Sequence, residues 1–263
     1  MRPEEVREAL AGIALVRRIY VFDELASTSD WAKALITRAN GSLDLEGTLV
    51  IANYQSAGRG RFDRRWVAPP GTSLLFSFIL PAQNEPGSLL SARQLAIAVP
   101  VAICAAIENE TRLSPRIKFP NDVLLNHKKV SGILIESVTV QQRTFAILGI
   151  GLNTNQDASE LPEATRMAAT SIRIEAAREI NTAQLLAAFF LQLAQLLANP
   201  DTALARMNLL CETLGTHIQV STASGTALGV ACGVTPEGAL VLRTETGMER
   251  VIHSGDVLQV DGV

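Results

Sequence analysis

Four arginines and two glycines fall within eight residues of the stretch Gln55-Ser56-Ala57-Gly58-Arg59-Gly60-Arg61-Phe62-Asp63-Arg64-Arg65-Trp66. A loop that alternates Gly with Arg lets the backbone approach a ligand closely while guanidinium forks surround it. Its natural guest is an anion. Phosphate comes first, because Arg binds phosphate and carboxylate bidentately through charge-assisted hydrogen bonds of about 1.5–3 kcal/mol each. Two further clusters suit the same chemistry. In Lys118-Phe119-Pro120-Asn121-Asp122, Pro120 fixes the backbone while Lys, Asn and Asp crowd around it, a set suited to a phosphate and its Mg²⁺. In Lys128-Lys129-Val130-Ser131-Gly132-Ile133-Leu134-Ile135-Glu136, a lysine pair leads into a buried strand whose Gly132 admits close backbone approach. Singly, each stretch also fits a plainer reading: a solvated basic loop or charge-protected strand edge, an ordinary turn, a basic hairpin tip. Together they describe one pocket for an anionic, nucleotide-like ligand.

The elements that position these residues follow from hydrophobic pattern. The arginine loop comes directly after the apolar run at 47–52, which reads as a buried strand, and the turn Ala68-Pro69-Pro70-Gly71 leads from it into a core strand at 72–80. Before it, residues 3–12 read as a short helix with Pro3 in its first turn, and 18–22 as a strand. Ser27-Thr28-Ser29-Asp30 has the S-x-x-D form of a capping box, so a helix begins there; its hydroxyls and free N–H groups also suit a small polar ligand. Residues 81–87 read as a loop and 91–111 as a helix in which Pro100 predicts a kink or break. Strands are expected at 115–126, 129–140 and 144–149, with Asn126-His127-Lys128 as the hairpin turn, and a loop at 156–167. Helices follow from Asn181 to about 199, closed by Pro200, and over 201–214. From Gly215 the texture changes to five short strands at 217–221, 228–231, 239–243, 250–252 and 257–260, separated by turn residues such as Ser224-Gly225, Pro236-Glu237-Gly238 and Ser254-Gly255-Asp256. That spacing describes a small β-barrel, so the division is 1–214 for a larger domain and 215–263 for the barrel.

With 263 residues and 48% hydrophobic content, the chain buries a sizeable core. Its net charge of -3 makes the arginine loop a local feature of a mildly acidic protein, which argues against nucleic acid as the main partner. The N-terminus lacks the order of a signal peptide and no apolar run reaches the length of a membrane span, so no membrane partner is expected. Cys104, Cys211 and Cys232, odd in number and far apart, point to reduced thiols in a cytoplasmic protein rather than to zinc or a disulfide framework.

The order Ser27-Thr28-Ser29, Gly58-Arg59-Gly60-Arg61 through Trp66, Lys118-Phe119-Pro120-Asn121-Asp122, Lys129-Val130-Ser131-Gly132-Ile133-Leu134-Ile135-Glu136 and Gly149-Ile150-Gly151-Leu152-Asn153 resembles the biotin protein ligases, over nearly the whole chain. The resemblance implies an α+β catalytic domain related to class II aminoacyl-tRNA synthetases, a mixed sheet flanked by helices, followed by an SH3-like barrel. It implies biotin and MgATP as substrates, no tightly bound prosthetic group, biotinyl-5′-AMP as intermediate, and a lysine of a biotin carboxyl carrier protein domain as acceptor. Family members that also repress transcription carry an N-terminal winged helix. About seventeen residues precede the first expected strand here, too few for a helix-turn-helix domain, so a ligase without a DNA-binding role is expected. A homodimer formed through a sheet edge is left open.

Carried over by residue, the resemblance gives Ser27, Thr28 and Ser29 to the biotin ureido group. Gln55, Gly58, Arg59, Gly60 and Arg61 close over biotin and the adenylate phosphate. Lys129, backed by Gly132, bridges carboxylate and α-phosphate. Lys118, Asn121 and Asp122 serve the triphosphate, its Mg²⁺ (through Asp122) and the incoming lysine; Asn153 lies beside adenosine, and Arg64 and Trp66 shape the ATP side. Lys129, Arg61 and Asp122 are the expected catalytic residues. The chain departs from the family's commonest loop, which has Arg-Gly where Phe62-Asp63 stands, so that either adenylate retention is weakened or Asp63 pairs with Arg64 or Arg65. Ala168-Ala169-Thr170-Ser171 also lacks the aromatic that some relatives stack on adenine. A lipoate or octanoyl transferase is expected to show a different glycine-rich, His-containing motif, which is not found in the chain. An RNA-binding or protein-interaction module is disfavoured by the acidic net charge.

Overall fold

Period-two alternation decides how this chain divides its apolar residues between two layers. The computed structural model describes residues 1–82, 92–163, 167–222, 225–253 and 255–259. In order these form α1 (Pro3–Ala9), β1 (Arg18–Leu25), α2 (Thr28–Arg38), β2 (Thr48–Gln55), β3 (Ser73–Ala82), α3 (Ala92–Thr111), β4 (Arg116–Lys118), β5 (Asp122–Leu125), β6 (Lys128–Val140) and β7 (Arg143–Asn153). There follow α4 (Ile172–Ala176), α5 (Thr182–Ala198), α6 (Pro200–Leu210), β8 (His217–Thr222), β9 (Gly225–Val234), β10 (Leu240–Arg243), β11 (Glu249–Ile252) and β12 (Asp256–Gln259). The larger sheet has the order β1-β2-β3-β7-β6-β5-β4, parallel at β1–β2 and antiparallel elsewhere, the mixed sheet expected. The smaller, β11-β10-β9-β8-β12, is antiparallel throughout.

On β7, Ala146, Leu148, Ile150 and Leu152 face the main core with α3 and α5, while Phe145 and Ile147 face a smaller core with Ala32 and Ile36 of α2. On β3, Leu74, Phe76, Phe78 and Leu80 join the main core, where Phe76 meets Phe189 edge-on at 5.5 Å and Phe78 meets Phe190 at 4.8 Å. Side chains of alternate parity therefore point to the α2 face. That face is where the apolar layer stops short.

Several sequence expectations are corrected. The strand expected at 115–126 is two, β4 and β5, which pair antiparallel with each other because the chain reverses at Phe119-Pro120-Asn121, with Lys118 opposite Asp122. Pro100 does not break α3, which runs through it with Pro100 buried; the surrounding helix packing outweighs one lost hydrogen bond. The second late helix ends at Leu210, not 214, and Pro200 opens it at the first helical position. α4, a single turn capped by Ser171, was not anticipated. The hairpin at Asn126-His127 is as expected, with both residues at positive φ. Of the loops and strand ends expected, 83–87, 164–166, Ser224, Ser254 and Val260 lie outside the described residues. No single helix among the described residues is long and apolar enough to cross a membrane, and α5 and α6, apolar enough as a pair, are bent by 116°.

Asn181 caps α5 by accepting from Ala183 N and Gln184 N, each at 3.1 Å. Asn181→Ala is expected to cost about 1 kcal/mol of stability and Asn181→Gly only a few tenths. Urea-unfolding midpoints of the two variants check this.

Candidate functional site

Where the α2 layer stops, a cavity of about 580 Å³ opens over the sheet. Three glycines make its floor. Gly132 of β6 and Gly151 of β7 are register partners, and Gly149 lies on the same face two residues earlier. A Cβ on Gly151 would lie 2.4 Å from Trp66 Cε2, one on Gly132 2.8 Å from Trp66 Cζ3, and one on Gly149 2.6 Å from Ser29 Oγ. These glycines are there for space: they let the Trp66 indole lie on the sheet and Ser29 reach it. The buried Trp66 Nε1 finds no acceptor among the described residues, so a ligand acceptor would satisfy it.

One end of the cavity is polar and uncharged. Thr28 donates from its backbone N (2.7 Å) and its Oγ1 (3.0 Å) to Gln55 Oε1. Ser77 Oγ, on β3, sits 2.8 Å from Thr28 Oγ1 and 2.9 Å from Ser29 Oγ. Ser27 caps α2 by accepting from Asp30 N at 3.3 Å, as the sequence suggests. The reciprocal half of the capping box is not made; the Asp30 carboxylate turns to Arg59 instead.

The other side is cationic, and its cations are held. Arg59 bonds Asp30 at 2.6 Å and Glu136 at 2.9 and 3.2 Å, and Lys33 shares Glu136 at 2.7 Å. Burial pulls the Arg59 guanidinium down, but Glu136 and Asp30 more than offset this and hold its pKa above the ordinary value. Arg61 donates to Asn121 Oδ1 at 3.0 Å and to the Gly255 carbonyl, ahead of β12, at 3.4 Å. Lys129 pairs with Asp122 at 2.7 Å and lies 5.7 Å from the Trp66 ring centroid. Asn121 Nδ2 donates to Asp122 Oδ1 (3.2 Å) and to Ile133 O (3.3 Å). At the loop tip, Phe62 and Asp63 both have positive φ, and the Arg61 and Arg64 guanidiniums stand 5.0 and 5.4 Å from the Phe62 ring centroid.

The structure therefore gathers Ser27, Thr28, Ser29 and Gln55 at the polar end, and Arg59, Gly60, Arg61 and Arg64 on the loop side. Trp66, Lys118, Asn121, Asp122, Lys129, Gly132 and Asn153 complete the same wall. Gly58 stands behind it: a Cβ there would meet Trp66 O at 2.4 Å, so its smallness lets the two stems of the loop touch. Asn153 is buried, with Nδ2 donating to Thr170 O at 3.0 Å. Met167 and Ala169 line the cavity, Ala169 paired to Lys129 by an isolated bridge, so the segment without an aromatic supplies an apolar wall. Sequence reasoning missed Glu136, Asp30 and Lys33 as partners of the loop, and Ser77. Alternation along β3 is the signal that marks Ser77, a hydroxyl between Leu75 and Ile79 on the parity that faces the site.

The comparisons agree with this geometry. Residues 27–153 match the biotin/lipoate A/B protein ligase family and residues 213–258 the biotin protein ligase C terminal domain. The chain is 34% identical over 263 residues to the bifunctional ligase/repressor BirA of Bacillus subtilis, covering 96% of this chain and 77% of that protein. It is 32% identical to the biotin–[acetyl-CoA-carboxylase] ligase of Mycobacterium tuberculosis, covering 90% and 88%. The structure of the Aquifex aeolicus biotin protein ligase in complex with biotin and ATP superposes with a TM-score of 0.75 at 25% identity, over 93% of this chain and 99% of that one. A mixed sheet with a glycine floor and an arginine loop, followed by a small antiparallel sheet, is the architecture of a protein-modifying ligase. The chain belongs to the biotin protein ligase family.

Glu136 hydrogen-bonds both Arg59 and Lys33, whereas Asp30 bonds Arg59 and lies 3.9 Å from Lys33. Glu136→Ala leaves Arg59 tied to Asp30 alone, an exposed pair of the kind worth about 0–1 kcal/mol. Limited trypsin digestion should then cut within residues 59–65 several-fold faster than in the wild type, and an unchanged rate would show that the pairs do not hold the loop.

Proposed function

We propose that the chain joins biotin to ATP, giving biotinyl-5′-AMP and pyrophosphate, and then passes the biotinyl group to a lysine of a biotin carboxyl carrier domain. The observation that carries this reading is that one cavity has an uncharged polar end at Thr28, Ser29 and Gln55 and a cationic side at Arg61, Lys118 and Lys129. The first suits a ureido ring, the second a carboxylate and a triphosphate. The family, and the biotin and ATP named for the Aquifex aeolicus structure, support the same assignment.

In the first step a biotin carboxylate oxygen bonds to the α-phosphorus and the bond to the β-phosphate oxygen breaks. Both reactants are anions, so fixed positive charge must offset their repulsion and meet the charge that develops on phosphorus. Lys129, held by Asp122 until substrates arrive, bridges the two. Arg61 closes over the phosphate, Lys118 and Arg64 face the triphosphate, Asn153 and the wall at Met167 and Ala169 receive the adenosine, and Asp122 with Asn121 serves the magnesium that accompanies ATP. One carboxylate is enough for that cation, which keeps most of its shell as water and phosphate oxygen. In the second step the acceptor amine attacks the acyl carbon, AMP leaves with the bonding pair, and the amine loses its proton.

Residues 1–214 form the catalytic unit in this reading and 215–263 the barrel. The net charge of -3 supports ligation rather than polyanion binding as the activity of these residues. Burial pushes the thiols of Cys104 and Cys211 up, which keeps them inert and accords with a cytoplasmic enzyme.

The test is exchange of labelled pyrophosphate into ATP by the purified protein with Mg²⁺ and no acceptor. Exchange is expected with biotin and not with lipoate; a folded protein that exchanges with neither overturns the proposal. Lys129→Ala should lower exchange by roughly 10²–10³-fold, the usual cost of one group that stabilises transition-state charge, with an unchanged unfolding midpoint. Arg61→Gly removes the bonds to Asn121 and Gly255. It should release biotinyl-5′-AMP and label lysines of an unrelated protein, read by streptavidin blot; labelling confined to the carrier would argue against a retaining role.

A further inference from the structure

Ser77 belongs to none of the motifs, does not line the cavity and is fully buried, yet its hydroxyl lies between the two hydroxyls that do line it. We infer that Ser77 sets which atoms at the polar end offer hydrogens and which offer lone pairs, and thereby makes this end specific for a ring that presents an N–H beside a carbonyl. The inference rests on the biotin reading above and deepens it.

The direction of every bond in this cluster follows from one backbone group. A backbone N–H only donates, so the Thr28 N–H at 2.7 Å fixes the Gln55 amide with its oxygen toward Thr28 and its NH₂ away. That oxygen only accepts, so the Thr28 hydroxyl hydrogen goes to it as well, at 3.0 Å. With its one hydrogen spent, Thr28 Oγ1 accepts from Ser77 across 2.8 Å. Ser77, its hydrogen spent in turn, accepts from Ser29 across 2.9 Å. The relay thus runs from Ser29 through Ser77 and Thr28 to Gln55. It ends with Ser29 Oγ holding only lone pairs at the cavity wall and Gln55 Nε2 holding only hydrogens. Gly149 keeps the Ser29 end in place, because a Cβ there would stand 2.6 Å from Ser29 Oγ. An acceptor and a donor fixed at one end of a cavity match the N–H and C=O of a cyclic urea; a dithiolane ring offers neither, and would leave both groups desolvated and unpaired.

Removing Ser77 Oγ frees the Ser29 hydroxyl to rotate and point its hydrogen into the cavity, where it opposes the ring N–H. Ser77→Ala is therefore expected to raise KM for biotin in pyrophosphate exchange by roughly tenfold while kcat stays within about twofold and KM for MgATP is unchanged. The effect should disappear for one of the two cyclic carbamate analogues in which a single ureido N–H is replaced by oxygen, the one lacking the N–H that faces Ser29. Ser29→Ala should show a similar rise, and Ser29→Ala with Ser77→Ala no more than Ser29→Ala alone, since both act through one atom. Equal penalties on biotin and on both carbamates, or fully additive penalties in the double variant, would show that Ser77 only fills space and would overturn the inference. If Ser77→Ala does not fold, the carbamates with Ser29→Ala decide: a penalty on biotin absent from one carbamate supports the terminal acceptor, and equal penalties on all three refute it. Wild-type protein that does not exchange with biotin at all would instead refute the substrate assignment.

Discussion

The structure depends on a strand whose two faces do incompatible work. On one face of β7, Leu148, Ile150 and Leu152 must be large to seal the core against α3 and α5. On the other, Gly149 and Gly151 must be small, or Trp66 and Ser29 lose their places. The pleat enforces this alternation without help from any other element, because a shift of one residue would exchange the faces and send leucine into the cavity and glycine into the core. Register is therefore fixed twice over, by what must be filled and by what must be left open. The pairing of Gly132 with Gly151 extends the open area onto β6 and gives the indole a flat seat.

A second constraint comes from charge. A cavity meant for two anions needs fixed cations, and cations crowded together repel one another when the anions are away. Each described cation of the site for which a bond is given is steadied by a protein group: Arg59 by Asp30 and Glu136, Lys129 by Asp122, Arg61 by Asn121 and the Gly255 carbonyl. The partners differ in kind, and that difference sorts the cations. Arg59 has two carboxylates and its charge is spoken for, so it acts as a strut between the loop, α2 and β6. Lys129 has one carboxylate, in a half-buried pair with Asp122. Arg61 donates to two neutral oxygens, Asn121 Oδ1 and the Gly255 carbonyl, which fix its position between the turn ahead of β5 and the residue ahead of β12.

How legible this was in the sequence follows from the same distinction. Strands, core faces and the loop were readable because alternation and Gly/Arg composition are local. The split at Phe119-Pro120-Asn121 was not, since strand propensity runs through it and only the antiparallel pairing of β4 with β5 shows that the chain turns back there. Nor did the helix survive Pro100 on local grounds; its packing in the core did that. Among the candidate site residues, contacts within one motif were legible, while the contacts of Glu136 and Asp30 with Arg59, from 77 and 29 positions away, were not: the two were read only as the last residue of a strand motif and as half of a capping box. The capping-box reading failed for a physical reason: a carboxylate 2.6 Å from a guanidinium gains more than one that returns to a single backbone N–H. Ser77 was legible in principle and overlooked, because a serine in the middle of an apolar strand looks like tolerated polarity until the parity of its face is counted.

The loop tip shows how a demanding backbone turn is made workable. Arg59 and Arg65 bridge, Gly60 N bonds Arg64 O at 2.7 Å and Arg64 N bonds Arg61 O at 3.3 Å, so residues 61–64 form a tight turn at the end of the hairpin. Both central residues take left-handed conformations, φ 55° at Phe62 and 56° at Asp63. Glycine does this freely and aspartate tolerates it, but for phenylalanine it costs on the order of 1–2 kcal/mol. Something must offset that cost. The ring stays 56% exposed, so burial contributes little, yet the Arg61 and Arg64 guanidiniums both stand within reach of it. Cation–π contacts at exposed sites are worth about 0.5–1 kcal/mol each, and two of them match the backbone cost. An arginine at 62 would add a fifth positive charge to the tip; the ring instead sits between two of the existing ones as a neutral spacer. The loop thereby keeps its turn and the positions of Arg61 and Arg64 with a residue whose backbone preference opposes both.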